Sequence, residues 1–332
     1  MDNYVKLHSC SSVDEILPLL LEEKDVIVII DSKIKKLYGE VFPYPQIEFE
    51  ATEKNKSLTQ VGKLTEQLLE KGANRDSFIL AVGGGITTDI AGFTASVYFR
   101  GIRFAFVPTT LLAQVDASIG GKNGINSNGY KNIIGTINQP QFTVMCSSFL
   151  KTLPEEDFKG GVAEMLKTFV IGEKKSYFKA VEILKKTNKI SDIYPFIVRV
   201  AAIKAAIVEK DMYETDERKL LNLGHTFAHA IEKESGMAHG HAVSAGIVLA
   251  AKLSVKLSFL KEDEAQMIKN NFKELGLNTE SPVPVSYLMN AISRDKKRLR
   301  DTITFILIKE IGNCFKHPIH IAKLEEALYD LS

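Results

Sequence analysis

The sequence predicts an α/β domain built on a parallel sheet, followed by a mostly α-helical domain. Three observations point there. Short apolar or β-branched runs alternate with amphipathic helical stretches over the first half of the chain. From about residue 153 that alternation gives way to long helical periods. The chain, at 332 residues, also exceeds what one hydrophobic core usually serves. The boundary is expected near 150, giving domains 1–150 and 151–332.

Residues 26–30 (VIVII) form a continuous β-branched run, as expected of a strand buried on both faces. Residues 47–49 make a shorter candidate. Over 57–71, Leu58, Val61, Leu64, Leu68 and Leu69 share one side of a helix that Gly72 stops. Residues 78–82 (FILAV) read as a strand running into Gly83-Gly84-Gly85, with a helix from Thr88 to about Phe99. Another strand, 104–107, ends at Pro108. Residues 126–129 read as a loop by composition. Helical periods then cover 155–170, 177–187, 193–208, 216–234, 242–259 and 263–275, and a strand signal returns at 302–308.

Composition narrows the function classes. Lys plus Arg is 42 against 41 Asp plus Glu, a net charge of +1, which argues against a dedicated nucleic-acid binder. The longest apolar stretches, such as 242–251, are too short to span a bilayer. Cys10, Cys146 and Cys314 are far apart in sequence and show no CxxC pairing, so they read as reduced thiols. With no apolar signal-like segment at the N-terminus, the expected compartment is the cytoplasm.

Several motifs carry chemistry. Gly83-Gly84-Gly85 sits between a strand and a helix, where glycines let a phosphate approach the backbone and the helix N-terminus favours its charge. It is neither GxGxxG nor a P-loop, so a tight βα turn without a ligand is an equal reading, and Asp89 reads equally as a first-turn acid. Thr109, Thr110 and Leu112 follow a strand's carboxyl end, where open α/β sheets bind ligands. Asp116, Gly120-Gly121-Lys122 and Lys131-Asn132 come next. Two lysines, an asparagine and several glycines suit a phosphate or carboxylate cradle better than a solvated loop. Of seven histidines, four fall within seventeen residues: His225, His229, His239 and His241. His225 and His229 share a helix face at i, i+4. Catalytic zinc takes three N or O ligands and leaves a position open, so two histidines and a carboxylate would serve. Spacing alone leaves the carboxylate undetermined; Glu164, set among the small and apolar residues of GGVAEMLK, is the attractive candidate.

Together these segments resemble the 3-dehydroquinate synthase family. The resemblance rests on GGGITTDIAGFTAS, YFRGIRFAFVPTTLLAQVDASIGGKNGIN, YKNIIG, LKTLPEEDFKGGVAEMLK, RKLLNLGHTFAHAIE and HGHAVSAG, and covers about residues 50 to 310. It implies an N-terminal Rossmann-like domain, a mostly α-helical C-terminal domain, an active site between them and a homodimer. The implied reaction converts 3-deoxy-D-arabino-heptulosonate 7-phosphate to 3-dehydroquinate and phosphate. NAD transiently oxidises a hydroxyl, phosphate leaves by β-elimination, the hydride returns, and an aldol step closes the ring.

The resemblance also implies roles. Glu164, His225 and His239 would hold one divalent metal, zinc or cobalt, with His241 as the alternative to His239. His229 becomes a substrate-side residue. Arg218 and Lys204 resemble a substrate-binding pair, and Asp116, Lys122, Asn132, Lys167, Asn222 and Lys296 (or Lys297) map onto active-site positions. Arg100 matches a position that reaches the neighbouring subunit's site. For NAD, Glu53 and Lys56 resemble an E-x-x-K-S element, joined by Gly83, Gly84, Gly85, Asp89, Thr109, Thr110, Leu112 and Lys131. The chain departs from the family pattern at Ser147 and Asp301, and its segment between Glu232 and His239 is short. The rival readings are a cyclase acting on a sugar phosphate without a carboxylate (2-deoxy-scyllo-inosose or epi-valiolone synthase), a metal-dependent polyol dehydrogenase, and a non-catalytic binding module.

Overall fold

The computed structural model describes residues 5–284, 287, 288, 292 and 302–329. The chain divides into two compact units, residues 1–154 with 197–213, and residues 155–196 with 214–332. The sequence reading divides the chain at 150; the first of these units also takes in residues 197–213. A stretch inside the second half belongs with the first unit, because Ala201, Ala205 and Val208 bury themselves against Val5, Ile119 and Met145.

The first unit is built on a six-stranded sheet. Its strands are β1 (Leu7–Cys10), β2 (Val26–Asp31), β3 (Gln46–Phe49), β4 (Phe78–Gly83), β5 (Arg103–Pro108) and, after a separate hairpin, β8 (Thr143–Cys146). They lie in the order β1-β8-β5-β4-β2-β3, and every pairing is parallel. The run at 26–30 is buried throughout, and its alternation explains why. Ile27 and Ile29 join one core with Val61, Leu64, Leu68 and Ile90, while Val26, Val28 and Ile30 join the opposite core with Ile16, Leu20 and Phe149. Helices α2 (Leu58–Glu70) and α3 (Gly85–Val97) supply the first layer, and Ser57 caps α2 by accepting from the Gln60 amide. A short helix α1 (Ser32–Tyr38) follows β2, capped by Asp31.

Three differences from the sequence reading stand out in this unit. The edge strand β1 and its partner β8 went unread, since each is only four residues long. The segment read as a loop at 126–129 is the tip of a hairpin, β6 (Lys122–Ser127) and β7 (Tyr130–Ile137). Its turn residues Asn128 and Gly129 both have positive φ, the geometry that an Asn-Gly pair favours. The third is the pairing of cysteines. Cys10 and Cys146, remote in sequence, are directly opposed in the β1–β8 register, and both are free and buried.

The second unit is mostly helical: α4 (Glu155–Gly172), α5 (Lys174–Lys186), α7 (His225–Ser235), α8 (His239–Lys256) and α9 (Glu262–Glu274). Helix α6 (Ile190–Lys210) begins in this unit and ends in the first. The antiparallel pair β9 (Thr302–Glu310) and β10 (Asn313–His320) extends the strand expected at 302–308. The single helix expected over 216–234 is two elements. A 3₁₀ segment, Glu217–Asn222, gives way at Gly224, which has φ +78. Gly224 leaves no room for a Cβ, which would lie 2.7 Å from the Ile247 amide. His225 thereby becomes the first residue of α7.

The β1–β8 register makes a checkable statement. Neighbouring strands lie about 4.8 Å apart, inside the roughly 4.4–6.8 Å Cα window of a disulfide. Mild oxidation of the folded protein should link Cys10 to Cys146 and leave Cys314 a thiol, as read by peptide mass mapping. A Cys314 link, or no link at all, would contradict the register.

Candidate active site

In the first unit the ligand-binding candidates lie at strand ends and on the hairpin. Gly83 and Pro108 are paired in register, so Gly83–Gly85 and Thr109–Leu112 occupy neighbouring carboxyl ends of β4 and β5. A Cβ at Gly84 would come within 3.0 Å of the Thr110 methyl, so this turn is kept free of side chains where α3 begins. Thr109 donates its amide to the Gly83 carbonyl, and its buried hydroxyl has no hydrogen-bond partner. A bare turn, a helix N-terminus and an unmatched hydroxyl fit a dinucleotide's phosphates.

Lys56, Asp89 and Asn132 come together there. Lys56 is 5% exposed, and its ammonium pairs with the Asp89 carboxylate and lies 2.6 Å from Asn132 Oδ1. Burial pushes the Asp89 carboxyl up to about 6, against the downward pull of Lys56. Glu53 accepts from Asn126 Nδ2 at 2.8 Å. Glu53 and Lys131 line one open cavity of about 340 Å³, together with Lys54, Ser57, Asn126 and Tyr130. Leu112 is half-buried at the start of a π-helical turn, Ala113–Ala117, that carries Asp116. Lys204, in α6, reaches that turn: its ammonium lies 2.6 Å from both Asp116 Oδ1 and the Asp116 carbonyl. Lys122 is exposed at the head of β6. Arg100 is exposed with φ +68, next to Phe99 with φ +48.

The second unit holds the metal candidates. Glu164 lies in the middle of α4 and is 1% exposed. His225 Nε2 is 3.6 Å from Glu164 Oε1, and His239 Nε2 is 3.3 Å from the same oxygen. One ligand atom from each of the three lies within 4.8 Å of the others. Lys167, one turn along α4 and also 1% exposed, brings its ammonium 2.5 Å from Glu164 Oε2. Even so, neither Glu164 oxygen accepts a hydrogen bond of acceptable geometry. Burial pushes the Glu164 carboxyl up, but Lys167 and the two imidazoles outweigh it and hold the group well below the usual carboxylate range. Burial also pushes His225 down to about 3, helped by Lys167. The donor set, one carboxylate and two imidazoles, is the type that catalytic divalent ions take, and the unmatched buried carboxylate fits one.

Close helix contacts bring these ligands together. A Cβ on Gly240 would fall 2.3 Å from the Gly160 Cα, and one on Gly246 would fall 2.3 Å from the Gly224 carbonyl. Bare backbone therefore seats α8 against both α4 and the start of α7. His241 is turned elsewhere, its Nε2 3.4 Å from Glu156 Oε2, so His239 and not His241 faces Glu164. His229 is exposed one turn beyond His225, with ring centroids 5.5 Å apart. Arg218 is 3% exposed in the 3₁₀ segment, and Asn222 donates to Glu214 at 2.5 Å. Lys296 and Lys297 lie outside the described residues.

Two acids escaped the sequence reading. Glu214 holds Asn222. Glu232 Oε1 lies 2.7 Å from His239 Nδ1, and the available signal was its place seven residues after His225, on the same helix face.

Two family models match the chain: 3-dehydroquinate synthase N-terminal over residues 46–160 and 3-dehydroquinate synthase C-terminal over residues 161–298. The 3-dehydroquinate synthase of Dictyoglomus thermophilum is 40% identical over 296 residues, covering 86% of this chain and 82% of the relative. That of Pyrococcus furiosus is 38% identical over 330 residues, covering 96% of each. The chain belongs to the 3-dehydroquinate synthase family. Solved structures share the fold of this family member. The 2-epi-5-epi-valiolone synthase of Streptomyces hygroscopicus subsp. jinggangensis 5008, solved with NAD+ and Zn2+, gives a TM-score of 0.86 at 23% identity, covering 98% of this chain and 96% of that one. A 2-deoxy-scyllo-inosose synthase, complexed with carbaglucose-6-phosphate, NAD+ and Co2+, gives 0.84 at 24% identity and the same coverage. A probable glycerol dehydrogenase from Sinorhizobium meliloti 1021 gives 0.64 at 15% identity, covering 99% and 96%.

The Asp89–Lys56 pair sets a pH signature. A carboxyl raised to about 6 binds its proton more tightly folded than unfolded, so its contribution to stability falls as pH rises through 6. Lys56→Met removes the opposing cation and raises Asp89 further. The stability gap between variant and wild type should therefore be wider at pH 8 than at pH 5, measured by denaturant unfolding. An equal or narrower gap at pH 8 would refute the coupling.

Proposed function

We propose that the chain converts 3-deoxy-D-arabino-heptulosonate 7-phosphate to 3-dehydroquinate and phosphate, using NAD and one divalent cation. The observation that carries this reading is the buried Glu164 carboxylate, ringed by two imidazoles and an ammonium, in a chain of this family. When bound, the cation supplies Lewis acidity to the substrate hydroxyls, and NAD supplies reversible oxidation at one substrate carbon.

The remaining roles belong to the chain's own groups. Glu164, His225 and His239 hold the cation, with Lys167 keeping Glu164 anionic. Arg218 recognises the substrate carboxylate, which its fork can meet with two hydrogen bonds. Asn222, oriented by Glu214, binds a hydroxyl. His229 donates to the phosphate or relays a proton. In the first unit, Lys204 is fixed by Asp116 and binds substrate, as do Lys122 and Asn132. Glu53, Lys56, Gly83–Gly85, Asp89, Thr109, Thr110, Leu112 and Lys131 hold NAD. Lys296 belongs to the same reading from its motif.

A homodimer is part of the proposal, with Arg100 reaching the neighbouring site. Exposed apolar residues near it in the chain, Val97 at 45% and Phe99 at 42%, support a second copy there. Among the described residues no helix is long and apolar enough to cross a membrane. The three free, buried cysteines support a cytoplasmic location.

The test is release of inorganic phosphate from this substrate with NAD and zinc. Chelator or omission of NAD should abolish release. His225→Ala should lose both metal and release, and Lys56→Ala should chiefly weaken NAD binding. Release only from a sugar phosphate without a carboxylate would select the neighbouring cyclase activity. Net NADH accumulation from a polyol would select a dehydrogenase.

A further inference from the structure

We infer that Glu232 is the positioning residue that aims His239 at the cation. The inference rests on reading Glu164, His225 and His239 as the metal centre.

The two imidazoles are anchored differently. His225 Nδ1 lies 3.2 Å from the Leu223 carbonyl, two residues back along its own chain, and the side chain is 13% exposed. Packing and a local neutral contact therefore hold that ring. His239 is the first residue of α8, and its side chain is 33% exposed. Gly240 seats its backbone against Gly160, but that contact leaves rotation of the ring undetermined. The tether is Glu232. Its carboxylate lies 2.7 Å from Nδ1, and its side chain is only 8% exposed.

This geometry fixes the tautomer and the direction together. A carboxylate at Nδ1 requires that nitrogen to carry its hydrogen, so the Nε2 lone pair is left for a ligand. Nε2 is the nitrogen that faces Glu164. A carboxylate behind a metal-binding imidazole also strengthens it as a donor, and loss of such a partner typically weakens metal binding about 10- to 100-fold.

Chain geometry explains how an acid on one helix serves a ligand on the next. Glu232 stands in the last turns of α7, and only residues 236–238 separate α7 from α8. Helix α7 thus carries one ligand at its start, His225, and the tether of the other two turns later, on the same face.

The experiment titrates Zn2+ and Co2+ into the metal-free full chain, comparing wild type with Glu232→Gln, Glu232→Asp and His225→Ala. Glu232→Gln keeps the side chain's size. It should weaken Zn2+ binding 10- to 100-fold, shift the visible absorption of the Co2+ form, and leave the melting temperature of the metal-free protein unchanged. Glu232→Asp keeps the charge but falls one methylene short, and it should also weaken binding. It carries the test if Glu232→Gln does not fold. Wild-type affinity and an unaltered Co2+ spectrum in the folded variants would overturn the role of Glu232 and leave the metal centre standing. Equal metal binding by His225→Ala, or none by wild type, would overturn the centre and the inference with it.

Discussion

A carboxylate taken out of water must be met by positive charge, and the second unit is organised around that requirement at Glu164. Burying an ion costs several kcal/mol after relaxation, and an uncompensated one costs the fold. Glu164 is compensated on one side by Lys167 and faces two imidazole nitrogens on the other. Neither of its oxygens has a well-made hydrogen bond, so the protein alone leaves the carboxylate underserved. A divalent cation meets that need better than any neutral donor. On the proposed reading, the metal site and the underserved buried carboxylate are the same place. The same constraint explains the glycines: no Cβ fits at Gly240 against Gly160, or at Gly246 against Gly224, and any separation of those helices would draw the imidazoles away from the acid.

The first unit solves a milder version of the problem twice. Lys56 is buried against Asp89, and Lys204 against Asp116. Each pair is local to its unit, and each ties a different segment to the ends of the sheet. Lys56 joins the approach to α2 with α3 and the hairpin, through Asp89 and Asn132. Lys204 joins α6 to the π-helical turn, and this helps explain why most of a helix from the second part of the sequence packs with the first unit.

Much of this was legible in the sequence, and the exceptions have physical reasons. The alternation of Val26–Ile30 between two cores follows from a strand buried on both faces. The apolar spacing of α2 was legible in part: Val61, Leu64 and Leu68 are its buried residues, whereas Leu58 and Leu69, expected on the same side, are exposed at 52% and 57%. Strands β1 and β8 were not, because LHSC and TVMC are too short for a period to show. The hairpin carried its Asn-Gly signal, which the polar composition around it masked. The break at Gly224 was hidden because apolar spacing runs across it; only a close approach to Ile247, a tertiary fact, demands the left-handed glycine. Glu164 could be nominated but not chosen by spacing, since it comes from another helix than the histidines. Glu232 shares His225's face, yet its partner lies across a connection, and no periodicity within one helix points there.

The fold by itself does not decide between a cyclase and a dehydrogenase, because proteins of both kinds share it. The decision lies in what the chain keeps buried. A dehydrogenase needs the dinucleotide, a cation and a route for one proton. An enzyme that holds an anionic sugar phosphate through oxidation, elimination and ring closure needs fixed positive charge as well. This chain keeps Lys167, Lys204 and Arg218 at 1%, 7% and 3% exposure. Each long cation gives up hydration and side-chain freedom to stay there, a cost of several kcal/mol unless anions meet it. Carboxylates of the chain meet Lys167 through Glu164 and Lys204 through Asp116. On the proposed reading, a cation held in a fixed position before substrate arrives needs little further ordering to bind an anion, which is the condition under which charge stabilises a reaction instead of merely tightening binding.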